Sequence, residues 1–292
     1  MAEPAPADGR ILVTGATGTV GTHVVERLHD RDANVAAAVR DPSSASEVLG
    51  DVSVVEFDFT RPETWGFAFE DVTSMFLVRP PGAVSIRRDI LPSVDAAVRS
   101  GVDHVVYLSV QGADRLPVLP HRRIERHIER SAATYTHLRA AFFMQNLSGV
   151  HRVDVRERDE VFVPAGSGET VFVDARDVGA VAAEALVDPQ HRDRSYDVTG
   201  PDAMNYHEVA RVFSDVLGRE ITYPEPSSLA FLRRMLGRGQ DWRYALLMLL
   251  IYAPTRLGRG GTPGDDVARI LGRDPYTLRD FVEAYAAEFE PD

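Results

Sequence analysis

The residues with the clearest chemistry are seven near the start of the chain, Gly15-Ala16-Thr17-Gly18-Thr19-Val20-Gly21. They follow an apolar run, Arg10 to Thr14, that reads as a buried strand, and they open a helical pattern from Thr19 to Asp30. Gly15 permits the tight turn, Gly18 lets backbone N–H groups approach a pyrophosphate, and Gly21 lets the helix pack closely on the sheet. The helix start adds unpaired N–H groups and a favourable dipole for an anion. A strand, a glycine loop and a helix in that order point to a bound dinucleotide, with Thr17, Thr19 and Val20 filling out the loop against it.

The type of dinucleotide should be written at the end of the second strand. An acidic residue there would accept a hydrogen bond from the ribose 2′-OH of NAD, and an arginine would suit the 2′-phosphate of NADP. The strand Asn34 to Val39 ends in Arg40, nineteen residues after Gly21. A planar guanidinium matches a phosphate well, so NADP(H) is expected. Asp41 leaves an NAD preference open, and a solvated Arg40 paired with Asp41 is the plainer alternative.

Two absences constrain the chemistry. The chain has no cysteine and no lysine, so all 32 basic residues are arginine. Disulfides, thiolate nucleophiles, Schiff bases and lysine-assisted proton relays are excluded. Nine scattered histidines show no His-Glu-x-x-His spacing, so no metal site is expected, and no Gly-x-Ser-x-Gly elbow is present. A net charge of −12 argues against a nucleic-acid partner. The longest apolar stretch, Leu246 to Ala253, is far too short to span a bilayer, so no membrane partner is expected and a cytoplasmic location follows by default.

The elements that must position these residues alternate. Strands are expected at Val52–Phe57, Ser74–Val78, His104–Ser109 and Tyr135–Arg139, with helices at Ile86–Ser100 and His121–Ser131. This order predicts an α/β fold, a doubly wound parallel Rossmann sheet, with a smaller, mainly helical C-terminal substrate lobe. The expected division is a loose tail at 1–9, a nucleotide-binding domain at 10–150 and the lobe at 151–292, with strands of the lobe returning to the sheet. Within the lobe, strands at Val171–Val173 and Tyr196–Thr199 flank a helix at Asp177–Leu186, and further helices run over Tyr206–Leu217 and Thr277–Phe289. Leu229 to Leu250 is apolar at helical spacing and broken near Gly237 and Gly239. Residues 227–253 read either as a lid over an apolar aromatic substrate, or as an ordinary helical pair or dimer face. Monomer and homodimer both stay open.

These residues resemble the NmrA-like branch of the atypical short-chain dehydrogenases/reductases. The resemblance is carried by the glycine loop, Val39-Arg40-Asp41-Pro42, Glu56-Phe57-Asp58-Phe59, Tyr135-Thr136-His137-Leu138-Arg139 with Phe142-Phe143-Met144-Gln145-Asn146, Val173 to Val178, and Leu271 to Pro275 with Phe281. It implies that Asp58 and Phe59 flank the adenine and that Val78 and Arg79 lie near the ribose and pyrophosphate. On the residues alone, Asp58 could equally cap its loop, and Phe59 and Val78 could be core.

Typical members of that superfamily use a Tyr-x-x-x-Lys helix and a Ser or Thr after the fifth strand, the lysine tuning the tyrosine as an acid. This chain cannot form that pair. Where the helix should be it reads His121-Arg122-Arg123-Ile124-Glu125, and Ser109 ends the fifth strand. His121 and Ser109 are the candidate proton-handling residues, with a solvent-near helix start as the bland alternative for His121. Arg122 or Arg123 could stand in for lysine as a phosphate contact. Two functions fit: an NADPH-dependent reductase of a quinone or aromatic, polyketide-like ketone, or a non-catalytic NADP(H) sensor that binds a protein partner.

Overall fold

The computed structural model describes residues 9–45, 49–80 and 84–291, so the expected tail at 1–9 lies outside the described residues except for Gly9. Seven strands, β1 (Arg10–Thr14), β2 (Val35–Val39), β3 (Ser53–Glu56), β4 (Val72–Val78), β5 (His104–Val110), β6 (Thr134–Ala140) and β9 (Arg194–Val198), form one sheet in the order β3-β2-β1-β4-β5-β6-β9. Every pairing in it is parallel. Parallel strands covered on both faces need near-continuous apolar runs, and Val35-Ala36-Ala37-Ala38-Val39 is buried throughout. The helices α1 (Gly21–His29), α2 (Leu91–Arg99), α3 (Pro120–Ile128) and α4 (Ala175–Val187) belong to this sheet, α2 being entered through a single π turn at Ile86–Ile90. The strand order runs outward from β1 to β3 and then restarts at β4. The switch point between β1 and β4 is therefore where the C-terminal strand ends splay and leave a crevice.

The chain forms two compact units that interleave: Met1–Ala140 with Ala175–Val198 and Asp266–Arg273, and Ala141–Asp174 with Thr199–Asp265 and Asp274–Asp292. This takes the place of the single boundary expected at residue 150. The reason is burial. Helix α4 hides Ala175, Val178, Val181, Ala182 and Leu186, and β9 extends the sheet beyond β6, so both return to the first unit.

The second unit has its own three-stranded sheet, in which β8 (Glu169–Val173) lies between β7 (Phe142–Phe143) and β10 (Ala203–Asn205). Its helices α5 (Tyr206–Leu217), α6 (Ser228–Gly237), α7 (Trp242–Arg256) and α9 (Leu278–Ala284) follow in order, while α8 (Asp266–Leu271) belongs to the first unit. Helix α5 matches the expected span and carries a capping box from Asn205 and Glu208. An aromatic core joins Phe172 to Tyr206, Tyr206 to Tyr252 and Phe231 to Tyr252 at ring-centroid distances of 6.0, 6.4 and 6.3 Å. The single helix expected over Thr277–Phe289 is split at Tyr285, whose backbone leaves the helical region.

Candidate functional site

The glycine loop closes as its sequence demands. Gly15 has φ +62°, and a Cβ there would meet Val78 Cγ1 at 2.5 Å. A Cβ on Gly21 would meet the Gly15 carbonyl oxygen at 2.1 Å, so neither position tolerates a side chain without moving backbone. Gly18 N donates to Gly15 O at 2.9 Å, and Thr22 N and Oγ1 donate to Gly18 O at 3.0 and 2.9 Å. Helix α1 then starts with no side-chain cap from Val20, which leaves the helix start to an anion. Thr17, Gly18 and Thr19 are exposed on the rim, whereas Val20 turns into the core. Thr14 holds the two sides of the crevice together: its Oγ1 donates to Phe76 O at 2.9 Å and accepts from Val78 N at 3.0 Å.

The neighbouring strand ends carry the other expected contacts. Arg40 is exposed at the end of β2 and makes no hydrogen bond or ion pair among the described residues. Asp41 instead accepts from Ser43 Oγ at 2.6 Å and Ser43 N at 3.0 Å, which holds its carboxyl below the usual range. Asp58 accepts from Thr60 N at 2.7 Å and Thr60 Oγ1 at 2.8 Å, so its carboxylate caps the turn after β3. Phe59 is buried edge-on to Phe57, with centroids 4.8 Å apart.

Among the described residues, Arg79, just past β4, has a buried Nε with no hydrogen-bond partner, and the fully buried Tyr107 hydroxyl also lacks one. The His121 ring stacks near Tyr107 at 6.5 Å. Burial first, and then the charge of Arg79, push His121 down to about 4, against the opposing pull of Glu125. It is a neutral imidazole at neutral pH, so it holds no imidazolium proton to donate there.

Ser109 faces a different structure. Its Oγ donates to Glu125 Oε1 at 2.6 Å, and Glu125 is 0% exposed. Arg139 grips the same carboxylate through Nε and Nη2, both at 3.1 Å, and Arg122 Nη1 bridges Glu125 Oε2 at 2.8 Å and Glu129 Oε1 at 2.7 Å. Burial pushes the Glu125 carboxyl up, but the hydrogen bonds from Arg139, Ser109 and Arg122 outweigh it and hold the group below its usual range. Glu125, Glu129 and His137 lie close enough to ligate a cation. Two guanidinium groups already neutralise those carboxylates, and a metal ion would have to displace them. The cluster is a closed ionic knot tying α3 to β5 and β6.

The structure thus gathers Gly15, Thr17, Gly18, Thr19, Gly21, Val78 and Arg79 at the β1/β4 switch point, with Arg40 on the next strand end. Asp58 and Phe59 sit one strand further out, with Phe59 in the core. Thr14, Tyr107, Glu125 and Arg139 were not singled out from the sequence. Glu125 lies beside the apolar stripe of Ile124 and Ile128, a faint signal of burial, and nothing local marks Arg139 as its partner.

The exposed loop backbone, the uncapped helix, the unpaired Arg40 and the orphaned Arg79 Nε all fit a dinucleotide. The model of the NmrA-like family matches residues 7–240. The chain belongs to the NmrA-like family. This NmrA-like protein is 33% identical over 286 residues to the NAD(P)H azoreductase of Xenophilus azovorans, spanning 96% of this chain and 99% of that one. It is 30% identical to an uncharacterized oxidoreductase, YesF, of Bacillus subtilis, spanning 95% of each. Among solved structures, the Citrobacter sp. triphenylmethane reductase complexed with NADP(H) superposes with a TM-score of 0.85 at 24% identity, over 94% of this chain and 99% of that one. The Escherichia coli NADPH-dependent quinone oxidoreductase QOR2 gives 0.83 at 23%, with the same coverage. At these identities the structural likeness is one of fold.

Proposed function

We propose that this NmrA-like protein is an NADPH-dependent reductase that passes hydride to a quinone or another flat, conjugated aromatic acceptor, without a Tyr/Lys pair. One observation carries the reading: the side chains expected to move a proton are not free to do so. Ser109 donates into Glu125, His121 is neutral, and the chain has no lysine. An acceptor that spreads incoming charge over a conjugated system needs little from a protein acid, and water can supply the proton. The azo, quinone and triphenylmethane compounds named for its relatives share that property.

Bound NADPH supplies the hydride. The loop from Gly15 to Gly21 and the start of α1 hold the pyrophosphate, Arg40 the 2′-phosphate, and Arg79 the adjoining ribose–phosphate region. The chain's contribution is positioning, which lowers a barrier by several kcal/mol without any acid. The test is NADPH oxidation by the purified protein with quinones, azo dyes and polycyclic aromatic ketones. Turnover with quinones and dyes, weak or absent with simple ketones, is the expected result. Turnover of simple ketones at a comparable rate would mean that a proton donor has been overlooked. The same closed knot around Ser109 also suits a second reading, a non-catalytic NADP(H) sensor. Tight NADP(H) binding with no turnover on the whole panel would select it.

A further inference from the structure

Helix α7 is apolar around its whole circumference. Ala245, Met248 and Tyr252 are buried in the core of the second unit. On the other side Trp242 is 59%, Leu247 51% and Leu250 63% exposed, with Leu246 and Ile251 beside them. A helix apolar on every side is normally covered on every side, and an exposed patch of this kind marks an interaction surface.

Charge indicates what covers it. The chain carries −12 overall, yet residues 228–259 hold six arginines and a single acid, Asp241. Arg234 and Arg238 are tied to Asp154, and Arg234 also to Glu160. Arg233, Arg243, Arg256 and Arg259 are exposed and form no ion pair among the described residues. Asp241 is engaged in capping α7, accepting from Arg243 N at 2.8 Å. Arg243 stands at the start of the exposed apolar face, whereas Arg256, near the other end of the helix, donates from Nη1 to Pro164 O at 3.3 Å.

A second copy fits this face poorly. In an isologous contact the same patch meets itself. Self-contact would set a patch holding the exposed Arg233, Arg243 and Arg259 against the same patch, with Asp241, already engaged in capping α7, as its one acid. An anionic lipid surface offers both things the face lacks: acyl chains for the leucines and phosphates for the arginines. Trp242 and Tyr244 are the amphipathic rings that settle at headgroup depth.

We propose that α7 lies flat on anionic phospholipid bilayers, with Leu246, Leu247, Leu250 and Ile251 among the upper acyl carbons and Arg243, with the neighbouring Arg233, on headgroup phosphates. No helix of the described residues is long and apolar enough to cross a membrane, so the contact is superficial. The inference does not depend on the reductase reading.

The test is flotation of the whole protein with phosphatidylcholine vesicles, with and without phosphatidylglycerol. Binding should be at least about tenfold tighter to the anionic vesicles, since each basic residue near such a surface adds attraction, and added salt should weaken it. Leu247→Glu with Leu250→Glu should abolish binding without altering the circular dichroism, as both positions are exposed. Arg243→Glu with Arg233→Glu should remove only the preference for anionic lipid. Failure to float with either vesicle would overturn the proposal. So would equal binding to both, or a solution dimer that Leu250→Glu splits while the native protein ignores vesicles. Flotation reads binding and not turnover, so its failure is separable from a failure to reduce quinones.

Discussion

The C-terminal ends of β1 and β5 lie in one sheet, and they treat charge in opposite ways. At β1 the loop is made of backbone, its helix is uncapped, and the nearby cations Arg40 and Arg79 keep nitrogen atoms without partners among the described residues. At β5 a carboxylate takes up the donors around it: Ser109, Arg122 and Arg139 converge on the buried Glu125, although Arg122 Nε and the Tyr107 hydroxyl keep no hydrogen-bond partner among the described residues. Unsatisfied donors at an exposed edge indicate a ligand supplied from outside. A buried carboxylate held by three donors from its own chain indicates architecture. The contrast separates two sets of residues that sequence reasoning had placed in one active site.

The comparison breaks most readily at Glu125. Glu125→Ala should leave Arg139 and Arg122 without their carboxylate inside the sheet, at a cost of about 3–5 kcal/mol. Urea unfolding measures it. A loss below about 1 kcal/mol would show that the knot contributes little and that its burial has another purpose.

On the open side, Arg40→Ala should spare stability and strike affinity. A charge-assisted contact to the 2′-phosphate accounts for about 1.5–3 kcal/mol, or roughly ten- to a hundredfold in NADPH affinity, with NADH almost unaffected. Titration of both cofactors against native and variant protein decides it. Equal losses would remove the phosphate role of Arg40 and return it to the solvated alternative.

The two sides also differ in how legible they were. The loop was readable because its constraint is local: Gly15, Gly18 and Gly21 answer to a turn and a helix contact that lie within seven residues. Arg40 was readable for the same reason, following from the end of one strand. The knot was not, because Ser109, Glu125 and Arg139 meet only when β5, α3 and β6 are laid side by side, and each has an innocuous meaning alone. The environment of His121 was hidden on the same ground, since its downward shift comes from burial and from Arg79, forty-two positions upstream. Strands from beyond residue 150 were expected to return to the sheet, and β9 does so by pairing with β6; that α4 belongs with the first unit is not marked by its own sequence.

Acid should expose the closed side further. Burial pushes His137, which sits against the knot with Nε2 3.5 Å from Glu129, down to about 4. His104 and His151, also buried, are held at about 4 mainly by burial. The folded values lie below the unfolded one of about 6.5, so the unfolded chain binds protons first as pH falls. The stabilisation is complete above about 6.5 and is lost as pH drops towards 4. Each histidine should cost about 1 kcal/mol between pH 6.5 and 5.5. His137→Gln should flatten the slope of stability against pH by that amount. An unchanged slope would mean that His137 is not kept neutral by the fold.

The smallest change tests the distinction most directly. Ser109, the last residue but one of β5, was the candidate hydroxyl, and here that hydroxyl is a donor to Glu125 at 2.6 Å. If it belongs to the knot, Ser109→Ala removes one of several donors to a carboxylate that Arg139 and Arg122 still hold. Stability should then fall by about 1 kcal/mol or less, and quinone turnover at saturating NADPH should stay within about twofold. A catalytic hydroxyl would show the reverse, with stability kept and turnover reduced by roughly a hundredfold or more. That outcome would require Ser109 to leave Glu125 once cofactor and acceptor are in place, and would return it from the architecture to the chemistry.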